Sequence, residues 1–204
     1  MGVKYKKEQC DAAIRGEKVP KDICDQQRLC LIRGIRYHYG FAKEFQGHPH
    51  YKDISRALNA RSIMSNVIPD ITAPYDTPYC IWHPEVATEQ TYRELVSRYP
   101  NMRYQVGRAC AVAGYVDLYK ELELLPEVHI AEEARDNSCT EIYDLIMAHD
   151  VKYDVMNDYT LTINLENPPR AQLNGILPCA HRWKSSRRIH PEGTRLGTST
   201  SQRI

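Results

Sequence analysis

Apolar side chains recur at helical spacing through the middle of this chain, and they predict a run of short helices. Tyr92, Leu95, Val96 and Tyr99 fall at i, i+3, i+4 and i+7, with Pro100 closing that helix. Met102, Val106, Ala109, Cys110 and Ala113 mark the next one, whose small residues allow another helix to come close. Gly114 stands where a left-handed C-terminal cap is expected. Tyr115, Leu118, Tyr119 and Leu122 form a return helix stopped by Pro126. A second pair runs through Ile130 and Ala134 and turns at Asp136 and Asn137. It restarts with Ser138 and Glu141 in the S-x-x-E spacing of a capping box, and Ile142, Leu145 and Ile146 supply its buried face. The two return helices superpose with an offset of 24, which sets Asp117 on Glu141, Leu118 on Ile142 and Tyr119 on Tyr143. Repetition on this scale marks stacked helical hairpins, which bury their apolar faces against one another and usually bind other proteins.

The flanks read differently. Residues 1–68 predict an N-terminal helical region. It begins with a short helix from Lys6 to Arg15, stopped by Gly16, and a second from Lys21 with Asp22 as its cap. Leu31, Ile32 and Ile35 give the second helix one apolar face, followed by the aromatic cluster Tyr37, Tyr39, Phe41 and Phe45. After a break at Gly47 and Pro49, a helix from Lys52 to Asn66 carries Ile54, Ala57 and Leu58 on one face. Residues 69–84 form a proline-rich connection, because Pro69, Pro74, Pro78 and Pro84 remove backbone donors too often for helix or central strand. Tyr75, Tyr79 and Trp82 predict that this connection is docked. The hairpins occupy 85–158, and 159–204 is an extended strap followed by a tail. Leu161, Ile163 and Leu165 alternate with polar residues as in an edge strand or strap, and beyond Asn167 the lack of apolar periodicity predicts disorder.

Composition narrows the function classes. No apolar run approaches the ~20 residues of a membrane span, and the start MGVKYKKEQC lacks the apolar segment of a signal peptide. Lys6 stands where a myristoylation signal prefers Ser or Thr. A cytoplasmic or nuclear protein without a membrane partner is expected. The seven cysteines include no C-x-x-C pair and read as free thiols. The formal charge of +1 divides into −4 over residues 1–179 and +5 over 180–204, an acidic body with a basic tail. Tyrosine, at 14 against 2 Phe and 2 Trp, predicts half-exposed packing in a thin domain.

Chemistry is sparsely encoded. Cys24, Cys30, His38, His48 and His50 are potential zinc ligands, but the two cysteines are off knuckle spacing, so packed thiols and a solvated His-Pro-His loop are the expected reading. Cys110, with His129 and Asp150 as conceivable partners, sits among small helical residues where packing accounts for it. No nucleophile elbow, P-loop, dinucleotide fingerprint or H-E-x-x-H helix occurs. Neither catalysis nor a cofactor or metal is expected. The tail segment HRWKSSRRIH offers Arg182, Lys184, Arg187 and Arg188 to phosphates and Trp183 to an unstacked base, as an alternative route to function. The acidic body argues against a broad phosphate-binding face.

The small-residue helix RACAVAG (108–114) followed by VDLYKEL (116–122), and AEEARDNS followed by TEIYDLIM, resembles the inner and outer helices of the ankyrin repeat. The stretch from PEVATEQTYRELVSRYP to VMNDYT is also similar to small fungal proteins with ankyrin-type helices. The resemblance covers about 50 residues, lacks a T-P-L-H opening, and has a period of 24 where about 33 is usual. It implies a mainly α fold: a short ankyrin-like helical-hairpin stack between an N-terminal helical region and a disordered tail. It also implies non-catalytic binding of another protein along the concave side. By analogy with such arrays, the contact residues are Tyr104, Arg108, Asp136 and Asn137.

Overall fold

A computed structural model describes residues 6–20, 23–45 and 52–174, and the fold is mainly helical. The N-terminal helices are α1 (Lys7–Ile14), α2 (Asp25–Tyr37), α3 (Tyr39–Lys43) and α4 (Lys52–Met64). Leu31, Ile35, Phe41, Phe45, Ile54 and Ala57 close a small core between α2, α3 and α4. Helix α1 crosses α2 at Gly34, where even a Cβ would collide with the Ala13 carbonyl oxygen. Helix α2 starts later than the sequence suggested. Cys24 is its N-cap, and the Gln27 side chain accepts the Cys24 N–H at 3.1 Å. The expected cap Asp22 lies outside the described residues, as do Gly47, His48, Pro49 and His50.

The proline-rich connection is docked by side chains that bond its backbone, because it has few ladder partners of its own. Arg36 donates to the carbonyls of Cys80 and His83, and Arg61, buried in α4, donates to the Arg36 carbonyl at 3.0 Å and to Glu85 at 2.5 Å. Tyrosines contribute in the same way. The Tyr99 hydroxyl accepts the Ile71 N–H and donates to the Pro69 carbonyl, while that of Tyr92 accepts the Ala87 N–H and donates to the Ile81 carbonyl. Half-exposed packing was the expectation for the tyrosines. Tyr92 and Tyr104 are instead fully buried, with hydroxyls that complete backbone hydrogen bonding.

The larger core lies under α5 (Glu89–Arg98), α6 (Arg103–Ala113), α7 (Val116–Glu121), α8 (Val128–Asp136) and α9 (Thr140–Met147). Thr88 caps α5 by accepting the Thr91 N–H. Helices α6 and α8 lie side by side. A Cβ at Gly107 would come within 3.0 Å of the Ile130 Cδ1 and closer still to Leu124.

The turn between the helices of each hairpin repeats in geometry 24 residues apart, although its residues differ. Gly114 has φ 78° and Ser138 has φ 62°. The Tyr115 N–H bonds the Cys110 carbonyl at 3.1 Å, and the Cys139 N–H bonds the Ala134 carbonyl at 2.8 Å. The capping box read at Ser138 is therefore not formed. Ser138 is the left-handed residue that ends α8, and Cys139 precedes α9 without a side-chain cap. Leu145, expected on the buried face of α9, is 38% exposed, whereas Ile142 and Ile146 are buried. Nothing lies within 4 Å of a Cβ built at Gly114, so only backbone strain opposes a side chain there. Gly114→Ala is expected to lower stability by about 1 kcal/mol and Ser138→Gly to raise it by a few tenths or more. Urea unfolding of both variants reads the two signs, and equal shifts would contradict the repeated turn.

The chain then forms two small antiparallel ladders: β1 (Lys152–Tyr153) with β4 (Arg170–Ala171), and β2 (Met156–Asn157) with β3 (Thr162–Ile163). Of the alternating run at 159–165, only Thr162 and Ile163 are in a strand, and Tyr159, Leu161 and Leu165 are 97%, 53% and 47% exposed. Disorder was expected beyond Asn167, yet residues 168–174 are ordered by backbone pairing. Besides β4, the Asn174 N–H bonds Glu132 at 2.8 Å. Such pairing leaves no apolar period in the sequence. Among the described residues, no helix is long and apolar enough to cross a membrane.

Candidate functional site

Arg108 lies on α6 and is held over the face of Trp82, with its guanidinium carbon 4.7 Å from the ring centre. It reaches Asp158, just after β2, through two hydrogen bonds of 2.5 and 2.9 Å, and Glu133 of α8 at 3.2 Å. The Tyr79 hydroxyl donates to the same Asp158 carboxylate at 2.7 Å. Burial works against the Arg108 charge, but the hydrogen bonds and charges of Asp158 and Glu133 outweigh it and raise the guanidinium pKa. Burial likewise opposes ionisation of Asp158, and the Arg108 contacts outweigh it, holding that carboxyl below its usual range. Glu133 is pushed up by burial despite Arg108. Arg108 thus fastens the β2–β3 hairpin to the helices.

A second polar group stands where α8 begins. Glu127 is fully buried and caps α8, accepting the Ile130 N–H on Oε2 at 2.7 Å and a longer 3.4 Å contact from the Met156 N–H on Oε1. Burial raises its pKa. His129 lies between two carboxylates, with Nδ1 3.4 Å from Glu132 and Nε2 3.4 Å from Asp154 Oδ1. The Glu132 side chain raises the His129 pKa, against the opposing effect of burial. Asp154 Oδ1 is buried without a hydrogen bond, so the approach of His129 is an electrostatic contact and not an aligned bond. One ligand atom from each of Glu127, His129 and Asp154 falls within 4.8 Å of the other two.

On the other side of Tyr79, the hairpin walls a groove of about 240 Å³. Leu161, Ile163 and Leu165 give its lining an apolar part, and Arg56, Asn101 and Gln105 a polar one. Gln105 is only 3% exposed, and its buried amide oxygen has no hydrogen-bond partner.

The residues proposed as contacts are therefore split. Tyr104 is 2% exposed, its hydroxyl accepting the Leu125 N–H, and Arg108 is buried in the ion pairs above, so neither presents its side chain on an open face. Asp136 and Asn137 are exposed at the end of α8, where the Asn137 amide donates to the Glu133 carbonyl at 2.9 Å. Arg182, Trp183, Lys184, Arg187 and Arg188 lie outside the described residues. Of the zinc candidates, Cys24 caps α2 and the His38 ring is 3.2 Å from the Ile14 carbonyl. Cys110 is buried, and its thiol is pushed up to about 12 by that burial. Gln105, Glu127, Asp154 and Asp158 went unnoticed in the sequence. The hairpin leucines could have been found from their alternation, but nothing local links Arg108 to a carboxylate 50 positions away.

The site belongs to a mainly helical protein in which two consecutive hairpins hold a short β-hairpin by buried polar contacts. Residues 82–179 match the family model described as the YKP1 C-terminal domain. The chain is similar to the uncharacterised killer plasmid pGKl-2 protein 1 of Kluyveromyces lactis, at 26% identity over 128 residues, or 60% of this chain and 56% of that protein. It is also similar to the RF4 protein of the same yeast, at 33% identity over 92 residues, or 44% of this chain and 21% of that protein. The chain thus spans little more than half of the first relative and about a fifth of the second. No solved structure matches.

Proposed function

We propose that this chain is a non-catalytic protein-binding module, and that its partner inserts an extended segment into the groove beside the β2–β3 hairpin. The observation that carries this reading is Gln105, which lines the groove and whose buried amide oxygen has no hydrogen-bond partner. An acceptor left in that state costs about 1–3 kcal/mol, which a backbone N–H from a docked segment recovers once the Gln105 side chain turns toward it. Leu161 and Leu165 are exposed and line the same groove, ready to cover an apolar side chain of that segment. The recurrence of the hairpin turn at Gly114 and Ser138 favours an ankyrin-like stack as the scaffold. On this reading, partner contact moves from Tyr104 and Arg108 to the hairpin, while Asp136 and Asn137 remain at the exposed rim.

The test pairs capture from the native cell with direct affinity measurement on the purified partner. The double variant Leu161→Ser, Leu165→Ser should weaken binding at least tenfold while the chain stays folded, and a chain ending at residue 174 should bind like the full one. Unchanged affinity in the double variant removes the groove. Loss of binding on truncation transfers the function to the basic tail.

A further inference from the structure

We propose that Glu127, His129 and Asp154 form a divalent-cation site of the zinc type, which clamps the C-terminal strands onto the start of α8. Tetrahedral zinc with nitrogen and oxygen ligands at about 2.0–2.1 Å sets neighbouring ligand atoms roughly 3.3 Å apart. His129 Nε2 and Asp154 Oδ1 are 3.4 Å apart, and the Glu127 ligand atom completes a set within 4.8 Å. Three protein ligands of this kind leave further positions for water.

Three independent observations point to a cation and not merely to a polar cluster. The first is that Asp154 Oδ1 is buried and lacks a hydrogen bond, although it is the atom that faces His129. The second is orientation. Glu132 stands at Nδ1, so the ring proton goes to that side and the Nε2 lone pair is left facing Asp154. An outer carboxylate that orients a ligating histidine in this way is the usual support of such sites. The third is charge. Glu127, Glu132, Asp154 and Asp158 gather around this histidine with Arg108 as the opposing fixed charge, and Arg108 is already engaged by Asp158 and Glu133. Glu127 keeps capacity to ligate, since Oε2 takes the short bond of the helix cap and Oε1 only a 3.4 Å contact. One imidazole and two carboxylates suit zinc and the neighbouring transition ions better than magnesium or calcium.

Cysteine thiolates in general are ligands for soft metals, and this chain has seven cysteines, so the probe is Co²⁺ added to the full, reduced chain. The expected result is one Co²⁺ per chain with ligand-field bands and no thiolate-to-cobalt charge-transfer absorption, displaced by stoichiometric Zn²⁺. His129→Gln and Asp154→Asn should each weaken binding by a hundredfold or more, and Glu132→Gln by about tenfold to a hundredfold. Circular dichroism confirms that each variant is folded. His129 is on the rim of the core, and Gln keeps a donor for Glu132. Three results overturn the proposal: no cobalt uptake, uptake with thiolate absorption, or an affinity that His129→Gln leaves unchanged. Any of them leaves His129 as an electrostatic contact between Glu132 and Asp154.

Discussion

Arg108→Met should destabilise the chain by about 3 kcal/mol in urea unfolding and release the β2–β3 hairpin. The substitution keeps the length of the stem over Trp82 but removes every contact to Asp158 and Glu133. Breaking one side of a buried ion pair typically costs about 3–5 kcal/mol, because the charge left behind has lost its water and its partner. The lower end applies, since the Asp158 side chain is 49% exposed and water screens part of the loss, whereas that of Glu133 is 23% exposed. The pH dependence has a definite sign. Asp158 is held below its usual pKa, so its stabilising contribution is present above the unfolded value and disappears as pH falls through the folded one. Glu133 is raised by burial and takes up its proton earlier on the same descent. The gap between wild type and Arg108→Met should therefore narrow as pH falls below the ordinary carboxylate range. A loss under 1 kcal/mol at neutral pH, or a gap that widens in acid, would show that Arg108 does not fasten the hairpin. Partner binding should fall with the hairpin, which separates a positioning role for Arg108 from direct contact.

The second large effect is expected at Gly34. In an ordinary helix interior, glycine to alanine stabilises by up to about 1 kcal/mol, through chain entropy and helix propensity. Here the new Cβ would fall on the Ala13 carbonyl oxygen, and the Ala13 carbonyl carbon lies at 3.0 Å and Phe41 Cε1 at 3.1 Å. A backbone oxygen cannot change rotamer, so α1 must move away from α2. Overpacking of this kind costs about 1–3 kcal/mol or more, which outweighs the propensity gain. Gly34→Ala should lower stability by roughly 2 kcal/mol net, with increased amide exchange along α1. A stabilised variant would mean that the two helices do not cross at this contact.

Helix existence was legible from spacing alone, and its precision varied for physical reasons. Tyr92 and Leu95, Met102, Val106, Ala109 and Cys110, and Ile142 and Ile146 occupy the core as their period requires. Gly114 is left-handed as expected because a glycine after an apolar helix has few other uses. Ser138 misled because serine serves as an N-cap far more often than as a left-handed residue. Its conformation is imposed by the turn that brings Cys139 N–H to the Ala134 carbonyl. The short strands were missed or misplaced since ladders of two residues have no period to read. Of the candidate sites, the apolar wall of the groove was visible in the alternation of Leu161, Ile163 and Leu165, and neither polar cluster was.

By itself, the amino-acid sequence determined that this is a mainly helical protein with two consecutive hairpins set 24 residues apart, because helix formation follows from local spacing of apolar residues and from the residues that end each helix. Tertiary structure alone decided which polar groups meet. Arg108 finds Asp158 across 50 positions, Tyr92 completes the backbone of the proline-rich connection, and Asp154 is brought to His129 and Glu127 by strands too short to announce themselves. Those encounters depend on how helices pack and where the chain returns, and burial in that packing is what gives each charge its strength.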